Sequence, residues 1–232
     1  MKLNLFILFV TVFSINAFEL PYYEAKYKFE SDEINITGIR KFNKNSEGYE
    51  IEFQASNLFA GMNFSSLFDF ENYKVIPRSY DVKIKPKFLD RDQFIKFDYM
   101  NNQIVSTGSN KWSEIINKDL LIMDPLNVQI MIRTLVKDDK TEFSLNIVDM
   151  KKGGFKEYDF EVMGNEICVF NKEEINCVVL ERSREGSNRK VTYYLMEKYE
   201  YIRLPIDIIP PIIVKTYGLL PLVHNNHVYL EI

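Results

Sequence analysis

Apolar and polar residues alternate with a period of two along much of this chain. Tyr23, Ala25, Tyr27 and Phe29 fall on one side, with Glu24, Lys26 and Lys28 between them. Tyr49, Ile51 and Phe53 alternate with Glu50 and Glu52, and Val82 and Ile84 with Asp81, Lys83 and Lys85. Ile95, Phe97 and Tyr99 alternate with Lys96 and Asp98; Tyr158, Phe160 and Val162 with Asp159 and Glu161. Each run predicts a strand with one dry and one wet face, as in an antiparallel sheet. Turn residues punctuate the runs at Asn43–Gly48, Asp149–Gly154 and Glu185–Asn188. Short strands at this spacing predict a mostly β fold, a curled antiparallel sheet forming a half-barrel.

One segment follows a different period. Asp124 suits an N-cap and Pro125 the first helical position, where its missing N–H costs nothing. Val128, Met131, Ile132 and Leu135 then recur at helical spacing, and Leu126 and Ile130 widen the stripe. Arg133 and Lys137 lie toward the C-terminal end, where cations are favoured. A helix is expected near 124–137, with its apolar face in the concavity of the sheet. Two segments fit neither period. Residues 57–70 carry Leu58, Phe59, Met62, Phe64, Leu67 and Phe68 with little charge. Residues 206–223 carry Ile212, Ile213 and other aliphatics, interrupted by Pro210, Pro211, Gly218 and Pro221. Both are read as apolar loops able to gate a cavity, the second also able to touch a membrane or an envelope partner.

Composition narrows the class. The 232 residues include 18 Phe and 14 Tyr against a single Trp, which suits broad apolar strand faces. Lys and Arg number 29 against 33 Asp and Glu, and no basic block occurs, so nucleic acid is a poor partner. No repeat or linker-like stretch divides the chain, and one domain, as a monomer, is expected. The two histidines, His224 and His227, sit in a polar turn after Pro221, and no third ligand is near in sequence. Cys168 and Cys177 are placed for a disulfide. If residues 171–174 form a four-residue loop, the two cysteines oppose each other directly across a hairpin.

The first seventeen residues supply an address. Lys2 is followed by an apolar run from Leu3 to Phe13, and Ala17 offers a small residue at a cleavage site. That layout is a secretory signal peptide, and the run is shorter than the roughly 20 apolar residues that span a bilayer. Residues 18–232 are then a single exported β-rich domain.

The order of features has a counterpart among known families. A signal peptide, a Tyr-x-Ala-x-Tyr strand at Tyr23, Ala25 and Tyr27, and Phe97-Asp98 come first. Trp112, then Asp124-Pro125-Leu126 with its helix, come next. Tyr158-x-Phe-x-Val, Glu181-Arg182 and Leu204-Pro205 close the series. Together these resemble the exported bacterial family called domain of unknown function 3108. The resemblance implies a curled antiparallel sheet wrapped on a helix, similar to the periplasmic lipoprotein carriers LolA and LolB. It carries over no catalytic residues. Residues 206–223 are longer than the family pattern between Leu-Pro and the last strand.

The remaining chemistry is sparse. Asp69 and Glu71, or Asp90 and Asp92, pair carboxylates only in sequence, and no nucleophile elbow, phosphate loop or dinucleotide fingerprint occurs. Glu181, Arg182, Arg184, Glu185 and Arg189 read as a solvated hairpin tip. No cofactor, metal or catalytic residue is expected. The expectation is a non-enzymatic periplasmic protein that binds an apolar ligand or lipid-modified partner between sheet and helix. Phe59, Met62, Phe64, Trp112, Val128, Met131, Ile132, Leu135, Ile212 and Ile213 would line that site. The alternatives are an envelope scaffold with a filled core and, third, a hydrolase. A cavity of roughly 300 Å³ or more between helix and sheet marks the carrier, and a filled interior the scaffold. N-terminal sequencing of exported protein should return Phe18 as the first residue; an intact Met1 on a membrane-embedded product would make the segment an anchor.

Overall fold

The computed structural model describes residues 20–30, 35–57, 60–116, 120–170, 172–204 and 227–231. The signal segment, Phe59, the whole apolar stretch 206–223 with Ile212 and Ile213, and His224 lie outside them. Alternation builds a first sheet from consecutive strands: β1 (Tyr23–Glu30), β2 (Asn35–Asn45), β3 (Gly48–Ser56), β4 (Gly61–Glu71), β5 (Lys74–Lys85), β6 (Gln93–Asp98), β7 (Gln103–Gly108) and β8 (Trp112–Ile115). Each pairs antiparallel with the next. A second sheet holds β9 (Ile122–Met123), β10 (Glu142–Val148), β11 (Phe155–Phe170), β12 (Glu173–Arg184), β13 (Ser187–Met196) and β14 (Ile202–Leu204). It is antiparallel except for β9, which runs parallel to β10. The last strand, β15 (His227–Glu231), returns to the first sheet beside β1. The fold is therefore mostly β with one helix, as expected, but two sheets curl around that helix rather than one, and they do not close into a barrel among the described residues.

The inward faces are largely those the alternation predicts, except that Tyr99, expected beside Ile95 and Phe97, falls past the end of β6 and is exposed. Ala25, Tyr27, Ile51, Phe53, Val82, Ile84, Ile95, Phe97 and Phe160 are all buried. Stacked aromatic rings link strands: Phe42 of β2 and Phe68 of β4 lie 6.2 Å apart between centroids across β3, and Phe53 of β3 and Phe64 of β4 also 6.2 Å. Such offset pairs add to what area burial alone contributes.

Residues 57–70 are corrected by the structure. Most of that stretch is strand β4 rather than a loop, with Phe64, Ser66 and Phe68 facing in and Met62 half-buried on the same side. Its outer face carries Asn63, Ser65 and Leu67 instead of charges, which blurred the alternation. A β-bulge between Leu67 and Phe68 also disturbs the register with β5. Val75 and Pro77 point inward before it, and Tyr80, Val82 and Ile84 after it, so the parity along β5 switches.

Cys168 and Cys177 are bonded, with Cα atoms 6.0 Å apart. The register differs from the expected one. Only residues 171–172 separate β11 from β12, so Phe170 faces Glu173 and Cys168 faces Ile175. The bond joins diagonal neighbours, not directly opposed ones.

Helix α1 (Val128–Lys137) packs against β5 and buries Val128, Ile130, Met131, Ile132 and Val136, with Leu135 half-buried. These side chains belong to one continuous core with both sheets. Arg133 and Thr134 are buried as well, so the helix is enclosed nearly all round rather than along one stripe. Replacing buried Ile132 with Ala should cost about 2–5 kcal/mol in urea unfolding. A near-zero change would place Ile132 against empty space.

Candidate functional site

The helix is set in place by a buried carboxylate. Asp124 is fully buried, and its Oδ1 accepts the backbone N–H groups of Leu126 (2.8 Å) and Asn127 (2.9 Å). The Asn127 side chain reaches back: its Oδ1 accepts Asp124 N–H at 2.9 Å, and its Nδ2 donates to Asp124 Oδ2 at 2.6 Å. This is a reciprocal cap with Pro125 at the first position, one turn ahead of the regular helix. Ser66 Oγ on β4 donates to the same Oδ2 at 2.6 Å and ties the cap to the first sheet. Burial pushes the Asp124 carboxyl up to about 6, against the pull of these donors.

The far side of the helix meets β1 and β2 of one sheet and β13 and β14 of the other. A cavity of about 20 Å³ lies in this seam. Arg40, Arg133 and Arg203 line it, with Tyr23, Tyr193 and Tyr201 and the apolar Ile132, Leu195 and Ile202; Gln129 completes the wall. The guanidiniums lie over rings. Arg40 is 4.8 Å from the Tyr27 centroid, Arg133 5.0 Å from Tyr23, and Arg203 4.1 Å from Tyr193. Arg182 stacks nearby on Tyr158 at 4.8 Å.

The charges here are buried. Arg133 keeps 3% of its surface exposed and Arg40 8%. Arg133 Nε donates to the backbone oxygen of Glu200 at 2.9 Å. The Glu200 carboxylate itself pairs with Lys137. No carboxylate among the described residues forms an ion pair with Arg40 or Arg133, and Arg133 Nη1 and Nη2, Arg40 Nε and the Tyr27 hydroxyl have no hydrogen-bond partner. Burial lowers the affinity of Arg133 for its proton and brings Arg203 down to about 10. Burial pushes the Tyr27 phenol up to about 12, with Arg40 pulling the other way.

Of the residues singled out in the sequence, Phe64, Val128, Met131 and Ile132 are core side chains, and only Ile132 also reaches the cavity. Met62 and Leu135 are half-buried beside the core. Trp112 sits at the opposite edge of the first sheet, donating from Nε1 to the Met150 oxygen at 3.2 Å and packing against Gly153. There it pins the loop between β10 and β11. The arginines were missed. Arg40 occupies an inward position of β2 between Gly38 and Phe42, and Arg133 falls beside Ile132 on the helix. An arginine at an inward parity position was the available signal. Arg182, read as part of a solvated tip, is likewise buried, while Glu181 does pair with Lys190 at the surface. A second, open groove of about 500 Å³ crosses the outer face of β10 to β12, lined by Glu142, Asp159, Glu161 and Glu181. No group of three or more metal-ligating side chains gathers among the described residues.

A family model covers residues 22–212, from the first tyrosines of β1 past the end of β14. The chain belongs to the DUF3108 family, described as a protein of unknown function. The DUF3108 fold also resembles a solved structure, the crystal structure of a β-barrel-like protein of domain of unknown function DUF1849 from Brucella abortus. The two share 11% sequence identity at a TM-score of 0.50, over 80% of this chain and 90% of that one. At that identity the likeness concerns the fold alone. No curated protein matches the chain.

The Asp124 cap makes stability depend on pH. Between its ordinary 3.8 and the raised value of about 6, the folded protein holds a proton that the unfolded chain has released. The contribution of Asp124 therefore falls as the pH rises through this window and is level above it. The span corresponds to about 3 kcal/mol. Urea unfolding at about pH 4 and about pH 7 should show this fall in the wild type and not in Asp124→Asn. An equal pH slope in both would place the titration elsewhere.

Proposed function

We propose that this DUF3108 protein is a non-enzymatic, exported interaction protein with a filled core, which meets an envelope partner at its surface. The observation that carries this is the state of the concavity. Helix α1 fills the space between the sheets with Val128, Ile130, Met131, Ile132 and Val136, and about 20 Å³ remains in the seam. Sites that engulf small ligands run to roughly 300–1,000 Å³. The address rests on Lys2, the apolar run and Ala17.

A carrier of an apolar ligand or lipid-modified partner, in the manner the likeness to LolA and LolB implies, is the second reading. Ile132, Leu195 and Ile202 favour it, because they give the seam an apolar wall next to half-buried Tyr23 and Tyr201. It requires α1 to move outward to open a chamber. Native mass spectrometry of protein purified from the periplasm separates the two. The filled-core protein should fly at the mass of the mature polypeptide. A retained lipid of several hundred daltons would overturn it in favour of the carrier.

A further inference from the structure

Among the described residues, no carboxylate forms an ion pair with the buried Arg133 or Arg40 of the seam. A guanidinium is ionised at all relevant pH values, so burial cannot be relieved by losing the proton. Leaving a buried charge unpaired is strongly destabilising, and orphaned buried donors add to that penalty. Yet Arg133 and Arg40 are both buried, and the two terminal nitrogens of Arg133, Arg40 Nε and the Tyr27 hydroxyl lack partners. Glu200, which Arg133 touches, is already engaged: it offers Arg133 its backbone oxygen and gives its carboxylate to Lys137.

We propose that Arg133 and Arg40, both on the wall of the seam cavity, form a buried receptor for one carboxylate group supplied by a molecule other than this chain. The two unpartnered nitrogens of Arg133 form the fork that meets two carboxylate oxygens at once. Tyr23 and Tyr27 lie against the faces of Arg133 and Arg40, which holds both guanidiniums flat and leaves their N–H edges for an anion. Size sets the class. A cavity of about 20 Å³ has no room for the body of a ligand, so only a small head group reaches the guanidinium edges. The remainder of a longer acid would leave past Tyr23, Gln129 and Tyr201, the half-buried residues of the rim. The receptor stands whether or not the interior ever holds an apolar ligand.

Thermal melts of the mature protein test this, with sodium acetate and sodium hexanoate as probes. Chloride and sulfate serve as controls, at an ionic strength held constant with a bulky sulfonate salt. Acetate should raise the wild-type Tm by about 3–5 °C for each tenfold excess over its dissociation constant. Arg133→Met should fold, as judged by circular dichroism, melt no lower than wild type without carboxylate, and show no rise with it. Arg40→Met should weaken the response and keeps the test open if the first variant does not fold. A hexanoate response matching that of acetate assigns the site to acids carrying a chain through the rim. A response to acetate alone assigns it to free small acids. Equal shifts with chloride and sulfate, or no shift with any carboxylate, would overturn the proposal. So would a response that appears only in Asp207→Asn, since the chain would then supply its own carboxylate.

Discussion

Asp124 is the hinge pin of this architecture. A single helix must sit between two meandering sheets, and its first turn carries backbone N–H groups that water cannot reach there. One carboxylate answers several of them at once. It accepts from the N–H groups of Leu126 and Asn127, from Asn127 Nδ2 and from Ser66 Oγ on β4, while the Asp124 backbone N–H donates to Asn127 Oδ1. The cap thus fixes the start of the helix relative to the first sheet, and everything downstream on α1 inherits that position. Ile130 and Met131 reach the core, Thr134 bonds back to the Ile130 oxygen, and Arg133 is delivered to the seam on the other side.

That seam is the counterpart of the cap. On one side of the helix a buried negative group is surrounded by donors; on the other, buried positive groups lie among aromatic rings. The tyrosines of β1 and β13 supply the faces on which Arg40, Arg133 and Arg203 rest. Aromatic faces tolerate a guanidinium better than aliphatic surface does, yet they satisfy none of its in-plane donors. Among the described residues, a small polar opening lies where helix, first sheet and second sheet converge.

Much of this was legible in the residues. Strands such as those at Ile51 and Phe53, or Ile95 and Phe97, show their inner faces directly, because charges mark the outer positions. Asp124-Pro125 announces the helix, although the regular part begins at Val128. The disulfide pair was legible too, but its register turned on the length of a connection that residue types at 171–174 do not specify. Strand β4 was hidden because Ser65 and Leu67 stand where charges would reveal an outer face, and a bulge breaks its register with β5. The arginine seam was hidden for a different reason. Arg40, Arg133 and Arg182 look like solvated surface by residue type, and only strand parity and helix phase turn them inward. The split into two sheets depends on long-range pairing, such as β9 beside β10 and β15 beside β1, which no local pattern encodes.

On the reading proposed above, α1 is a solid plug between the sheets and not the movable wall of a chamber. Amide hydrogen exchange measures this most directly, because it reports the free energy of opening for each segment. The amides of 131–137 should exchange only through global unfolding, with the same protection as the central strands β4 and β12. Exchange of the helix well ahead of those strands, with the sheets still protected, would make α1 a movable wall instead.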